Sequence, residues 1–166
     1  MSGVINSFTN FKGSLITGTV VQSLYSEYTA NANLNTQIPG DDTIPQITEG
    51  VEFLTLTITP KKIGNIIEFS FEGQFSLSVA GSFGVALFID ATANALNSKS
   101  ITCSSIGAGV IGTLVYRYTA VDLSAHTFRV RAGPLSASTL RMNGTNAARF
   151  FGGSSTATLS ANEIAS

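Results

Sequence analysis

Between Ile67 and Val79 the side chains alternate in character with a period of two. Ile67, Phe69, Phe71, Phe75, Leu77 and Val79 fall on one face, with Gly73 among them. Glu68, Ser70, Glu72, Gln74, Ser76 and Ser78 fall on the other. Successive side chains of a strand point to opposite sides, so the pattern predicts a half-buried antiparallel strand, bent at Gly73. A helix would spread these phenylalanines around its circumference. A strand with so apolar a face needs other strands to cover it.

The same period recurs along the chain. Leu54, Leu56 and Ile58 alternate with Thr55, Thr57 and Thr59. Phe83, Val85, Leu87 and Ile89 alternate with Gly84, Ala86 and Phe88, so that strand is apolar on both faces and belongs in a sheet centre or at a subunit contact. Val110, Leu114, Tyr116 and Tyr118 form one face of a further strand; His126, Phe128 and Val130 form one face of the next. Strands are also predicted over Val20–Tyr28, Asn31–Ile38, Ser138–Met142 and Thr156–Ile164. Turn signals separate them, among them Pro39-Gly40, Gly133-Pro134 and Gly152-Gly153, with Asn143-Gly144 the strongest. Only Ala91–Ser98 has a helix-like composition. Eight to ten short strands of this kind predict a β-sandwich, barrel or jelly roll.

Charge narrows the function. Charged residues make up 11% of the 166, against roughly 25% in typical soluble domains. The net charge of −1 excludes electrostatic capture of a nucleic-acid backbone. Serine and threonine number 39, so the surface is hydroxyl-rich rather than ionic. Low charge suits a subunit that buries surface against copies of itself. Cys103 is the one cysteine, which excludes an intrachain disulfide. The N-terminus lacks a basic start and an apolar h-region, so no signal peptide is expected. No apolar run approaches the roughly 20 residues of a membrane helix.

Groups for catalysis are sparse. His126 is the only histidine, and with one distant cysteine it makes a poor zinc site. Cys103 reads as a small buried hydrophobe. No G-x-S-x-G elbow and no phosphate-binding glycine loop is present. Glu68 and Glu72 lie roughly 13 Å apart along their strand at ~3.3 Å per residue. Catalysis is not expected, nor is a cofactor. Asp41, Asp42 and Glu49 form the best cation candidate, although they lack the alternating spacing of a calcium loop and double as ordinary turn formers. Arg129, Arg131, Arg141 and Arg149 read either as a solvated face or as a ring about a symmetry axis.

In order, the chain reads DDTIPQITEG, an LTITP strand, the amphipathic strand, VALFIDATANAL, HTFRVRAG, NG, RFFGG and a terminal NEI. Over residues 20 to 166 this set resembles a recurrent β-domain of bacteriophage virion proteins, found at the C-terminal ends of tail fibres and in other particle-surface proteins. The resemblance implies an antiparallel jelly-roll sandwich similar to C1q and tumour-necrosis-factor modules, assembled as a homotrimer. It brings no catalytic residues.

The expectations are therefore a docking arm over residues 1–17, anchored by Val4, Ile5, Phe8 and Phe11, and a jelly-roll domain over 18–166. Phe88, Tyr116 and Tyr118 are expected at the trimer interface. The short arm favours a capsid decoration or cement protein, made in the host cytoplasm and seated on the virion surface against the major capsid protein. The alternative is a short tail fibre or receptor-binding tip. It would engage a host glycan or surface protein through loops near Gly107–Gly109, Ser136–Ser138 and Asn146.

Overall fold

A computed structural model describes residues 18–146 and 148–166; the arm residues Val4, Ile5, Phe8 and Phe11 lie outside them. Ten strands follow in chain order: β1 (Val20–Tyr28), β2 (Ala32–Leu34), β3 (Val51–Ile58), β4 (Ile66–Leu77), β5 (Gly81–Ile89), β6 (Asn97–Cys103), β7 (Val110–Thr119), β8 (His126–Pro134), β9 (Leu140–Met142) and β10 (Ala157–Ile164). All pairs are antiparallel. The first sheet runs β1-β10-β4-β7, with the short β9 and β2 continuing it beside the far end of β4. The second runs β3-β8-β5-β6. Omitting β2 and β9, the eight long strands are ordered 1-8-3-6 and 2-7-4-5 across the two sheets, which is jelly-roll connectivity.

The period-two faces meet between the sheets. Ile67, Phe69, Phe71, Phe75 and Leu77 from β4 pack on Leu54, Leu56 and Ile58 from β3, Phe83, Val85 and Leu87 from β5, and Phe128 and Val130 from β8. β4 is not interrupted at Gly73: its pairing with β7 runs in register from Ile66 to Phe75. Space, rather than a bend, calls for glycine there. A Cβ on Gly73 would stand 2.9 Å from the tip of the Phe71 ring, and one on its cross-strand partner Gly112 would stand 2.9 Å from Phe75.

Three predicted elements change. Of Asn31–Ile38 only Ala32–Leu34 is a strand, and of Ser138–Met142 only Leu140–Met142. Ala91–Ser98 is not helical. It begins as a turn around Asp90, whose positive φ of 51° closes the reversal, and ends as the start of β6. Local composition favoured a helix there, but the backbone donors and acceptors are spent on neighbours: Ile47 N donates to Ala93 O and Ala95 N to Pro45 O.

Those bonds belong to a strap, residues 35–50, laid across the outer face of the second sheet. Ile38 N donates to Pro134 O and Gly50 N to Gln37 O. Ile38 and Ile47 cover Ala86 and Phe88, making a second apolar cluster outside the sandwich. A glycine pair in register, Gly84 and Gly133, lets the strap approach. A Cβ on Gly133 would lie 2.0 Å from the Thr36 carbonyl oxygen, and one on Gly84 3.2 Å from Ile38. Gly133→Ala is accordingly expected to destabilise the fold by about 1–3 kcal/mol or more, because backbone and not a flexible side chain must move. A thermal melt reads this as a fall of roughly 5–10 °C; an unchanged melt would show that the strap is not seated on Gly133.

Candidate functional site

The strap decides the fate of two predicted sites. Asp41 Oδ1 accepts hydrogen bonds from Thr43 N at 2.9 Å and from Thr43 Oγ1, a turn that holds its carboxyl below the ordinary value. Glu49 Oε2 accepts from Gln46 N at 2.9 Å. Asp41 and Glu49 thus each bond the strap itself through one carboxylate oxygen, and no cluster of three metal-ligating side chains is found among the described residues. Phe88, expected between chains, is fully enclosed by Ile38 and Ile47 of its own chain, which leaves it no surface for a neighbour. Tyr116 and Tyr118 are half-buried against the main core on β7.

The arginines separate as well. Arg129 and Arg131 straddle Glu52 at 3.1 and 3.3 Å. They also donate to backbone carbonyls, Arg129 to Asp90 and Arg131 to Glu49 and Gly50, so they lock the strap and the β5–β6 turn onto β8. Arg141 stands on β9 at the other sheet, where its Nη1 donates to Asn33 Oδ1 at 2.7 Å. Arg149 flanks Gly153.

Two polar groups had no clear signal in the sequence. Glu163 is fully buried in β10, where its carboxylate accepts from the backbone N–H of Lys61 and Lys62, from Asn65 Nδ2 at 2.7 Å and from Gln22 Nε2. His126 lies between two carboxylates: Nδ1 is 2.8 Å from Asp90 Oδ2 and Nε2 is 3.1 Å from Asp122 Oδ1. An ionised carboxylate only accepts, so the two contacts are both hydrogen bonds only when both ring nitrogens carry protons. The Asp90 bond chiefly raises the His126 pKa above its ordinary value, against a smaller opposing effect of burial. Burial pushes Asp90 up, but bonds from His126 and the Thr127 N–H outweigh it, and the net shift is down. The spacing Asp122-x-x-x-His126 was visible in the sequence; Asp90 was too distant to be linked to it.

The signs give a pH window. A raised histidine pKa stabilises below its unfolded value of about 6.5 and loses that contribution as pH rises through the folded value. A depressed aspartate pKa stabilises above about 3.8 and loses its contribution as pH falls through the folded value. The clamp is therefore strongest from about pH 4 to 6.5. Relative to the native chain, His126→Gln is expected to lower the melting temperature most in that window and progressively less as pH rises through the raised histidine pKa. A difference independent of pH would show that folding leaves the imidazole's proton affinity unchanged and that the two carboxylates do not clamp it.

Loops gather at the end of the sandwich bearing the β4–β5 turn. Gly107 N donates to Leu77 O, and Ser78 and Thr139 exchange hydrogen bonds. A cavity of about 250 Å³ opens here, lined by Ser76, Leu77, Ser78, Ile106, Arg141 and neighbours including Gly107 and Asn146. Gly107 and Asn146, predicted from two separate turns, thus line one cavity; the predicted Ser136–Ser138 loop does not line it, and only the next residue, Thr139, bonds Ser78. Apolar side chains project here, among them Val79 of the β4–β5 turn, Ile106, which is 74% exposed, and Phe151, which is 79% exposed with a positive φ of 49°. Phe151 sits in a 3-10 turn (Phe150–Gly153) whose Phe150 lies against the Gly109 backbone. A bulky residue in that backbone region is a genuine outlier.

No family model matches the sequence, and no curated protein matches it. Solved structures do align, loosely. The EclA C-terminal domain, a sugar-binding protein, is 14% identical over 82% of this chain and 86% of that one, with a TM-score of 0.35. The infectious bursal disease virus Gx strain structure is 10% identical over 87% of this chain and 37% of that one, with a TM-score of 0.42. Tailspike protein 4 of bacteriophage CBA120, in its enzymatically active domain, is 12% identical over 75% of this chain and 19% of that one, with a TM-score of 0.30. Proteins of virus particles and a sugar-binding domain are thus among the structural neighbours. Superpositions this loose say nothing of what the chain binds. No helix among the described residues is long and apolar enough to cross a membrane.

Proposed function

We propose that this chain is a non-enzymatic structural protein of a bacteriophage particle, a homotrimeric knob held on the capsid by its first 17 residues as a decoration or cement protein. One observation supports this most: the motifs of the phage resemblance are occupied with holding the jelly roll together. Asp90 of VALFIDATANAL closes a turn and binds Thr127; Gly133 of HTFRVRAG admits the strap; Asn143 of NG takes a φ of 56°; Glu163 of NEI ties β10 to the β3–β4 loop. Motifs made of joints suit a protein whose work is to add buried interface between capsomers.

Densitometry of purified particles tests the reading. A decoration protein is expected on the order of hundreds of copies per particle, following capsid symmetry; tens or fewer would overturn it. Removing residues 1–17 is expected to leave a folded trimer that no longer joins particles. A second reading, a receptor-binding tip, is favoured by the convergence of two of the predicted loops and exposed Ile106 around one cavity.

A further inference from the structure

We propose that the cavity at the loop end binds one carboxylate-bearing sugar residue, with Arg141 as the anchor for its carboxylate. The inference deepens the attachment reading and rests on it for its biological role.

Three of the five arginines are neutralised inside the chain: Arg117 by Glu68 at 2.7 Å, and Arg129 and Arg131 by Glu52. Arg141 lines the cavity and has no carboxylate within 4 Å among the described residues. Its one hydrogen bond, to the neutral Asn33 amide oxygen, orients the guanidinium without cancelling its charge. Register holds it too: Arg141 lies between Asn33 of β2 and Ser76 of β4, on a paired strand rather than a mobile loop. A planar guanidinium with free N–H groups matches a carboxylate as a two-pronged donor.

The rest of the wall suits a polyol with one apolar face. Ser78 Oγ accepts from Thr139 N, and its own proton is left for a ligand hydroxyl. Ile106, 74% exposed, supplies aliphatic surface. The volume falls below the roughly 300 Å³ at which sites for drug-sized ligands begin, which favours a single ring over an oligomer.

The test titrates the full chain, followed by backbone amide resonances at fixed ionic strength, with N-acetylneuraminic acid, glucuronic acid, glucose and sodium acetate. Saturable shifts at Ser78, Ile106, Gly107 and Arg141 are expected with at least one acidic sugar, with a Kd on the order of millimolar. Glucose and acetate should bind at least tenfold more weakly. Arg141→Gln should weaken acidic-sugar binding at least tenfold with an unchanged melting temperature. Arg141→Lys, which keeps the charge and loses the fork, should fall between. Equal binding of acetate, equal binding of glucose, or full binding by Arg141→Gln would each overturn the site. Copy number is measured separately: hundreds of copies with sugar binding keeps the site and removes the tip reading, and tens of copies without it does the reverse.

Discussion

Glu163→Ala is expected to lower the unfolding free energy by about 3–5 kcal/mol, the range for stripping a buried charged acceptor from its partners. The side chain is fully buried, and its carboxylate collects the N–H groups of Lys61 and Lys62, the Asn65 amide and the Gln22 amide. Alanine leaves these donors facing a void, and Asn65 is itself fully buried, so water does not replace the lost acceptor. In a melt the loss reads as roughly 10 °C or more. Acid gives an independent check. Burial raises the Glu163 pKa, but the bonds from Asn65, Lys61 and Gln22 outweigh it, and the net shift is below the ordinary 4.5. Stability linked to a depressed carboxylate is present above about pH 4.5 and is lost as pH falls through the folded value. The native chain should therefore weaken in that range while Glu163→Gln, already destabilised by facing donors with a donor, should weaken less. A parallel acid response in both would show that folding leaves the Glu163 pKa unshifted.

Glu163 also marks the limit of what the chain reveals before folding. Its place in a late strand was readable, but a buried carboxylate is recognised only once its donors are known. Lys61, Lys62 and Asn65 lie roughly 100 residues away, on a loop that sequence pattern reports merely as a turn, and Gln22 lies 141 residues away in β1. The inward faces of β3, β4, β5, β7 and β8 were legible because a period of two is a local property. β6 was not, because Asn97–Cys103 is largely polar and exposed, with no apolar alternation to betray it. Phe88 was legible as an anomaly, apolar on the wrong face, yet the strap that covers it joins residues some 40 positions apart. Arg141 was seen only as one of four scattered arginines. What distinguishes it is its place in the cavity wall with no carboxylate within 4 Å among the described residues, which is a property of the folded surface.

The second large effect is expected at the contact between the two sheets. Phe69 of β4 and Phe128 of β8 are both fully buried, and their ring centroids lie 3.9 Å apart with planes tilted by 32°. Tyr118 of β7 meets Phe128 edge-on at 5.5 Å. Phe128→Ala removes a ring from the middle of the sandwich and is expected to destabilise by about 3–5 kcal/mol, as is Phe69→Ala. The double variant should lose less than the sum. The pairwise aromatic contact is lost once rather than twice, a coupling of about 0.5–1.5 kcal/mol. Chemical denaturation with unchanged slope measures all three. Strict additivity would mean that the rings fill separate spaces and that the sheets are held together elsewhere. Coupling of the expected size would make this pair the link through which β8, with the strap locked on its outer face, is registered against β4, which carries Ser76 and Leu77 into the loop-end cavity.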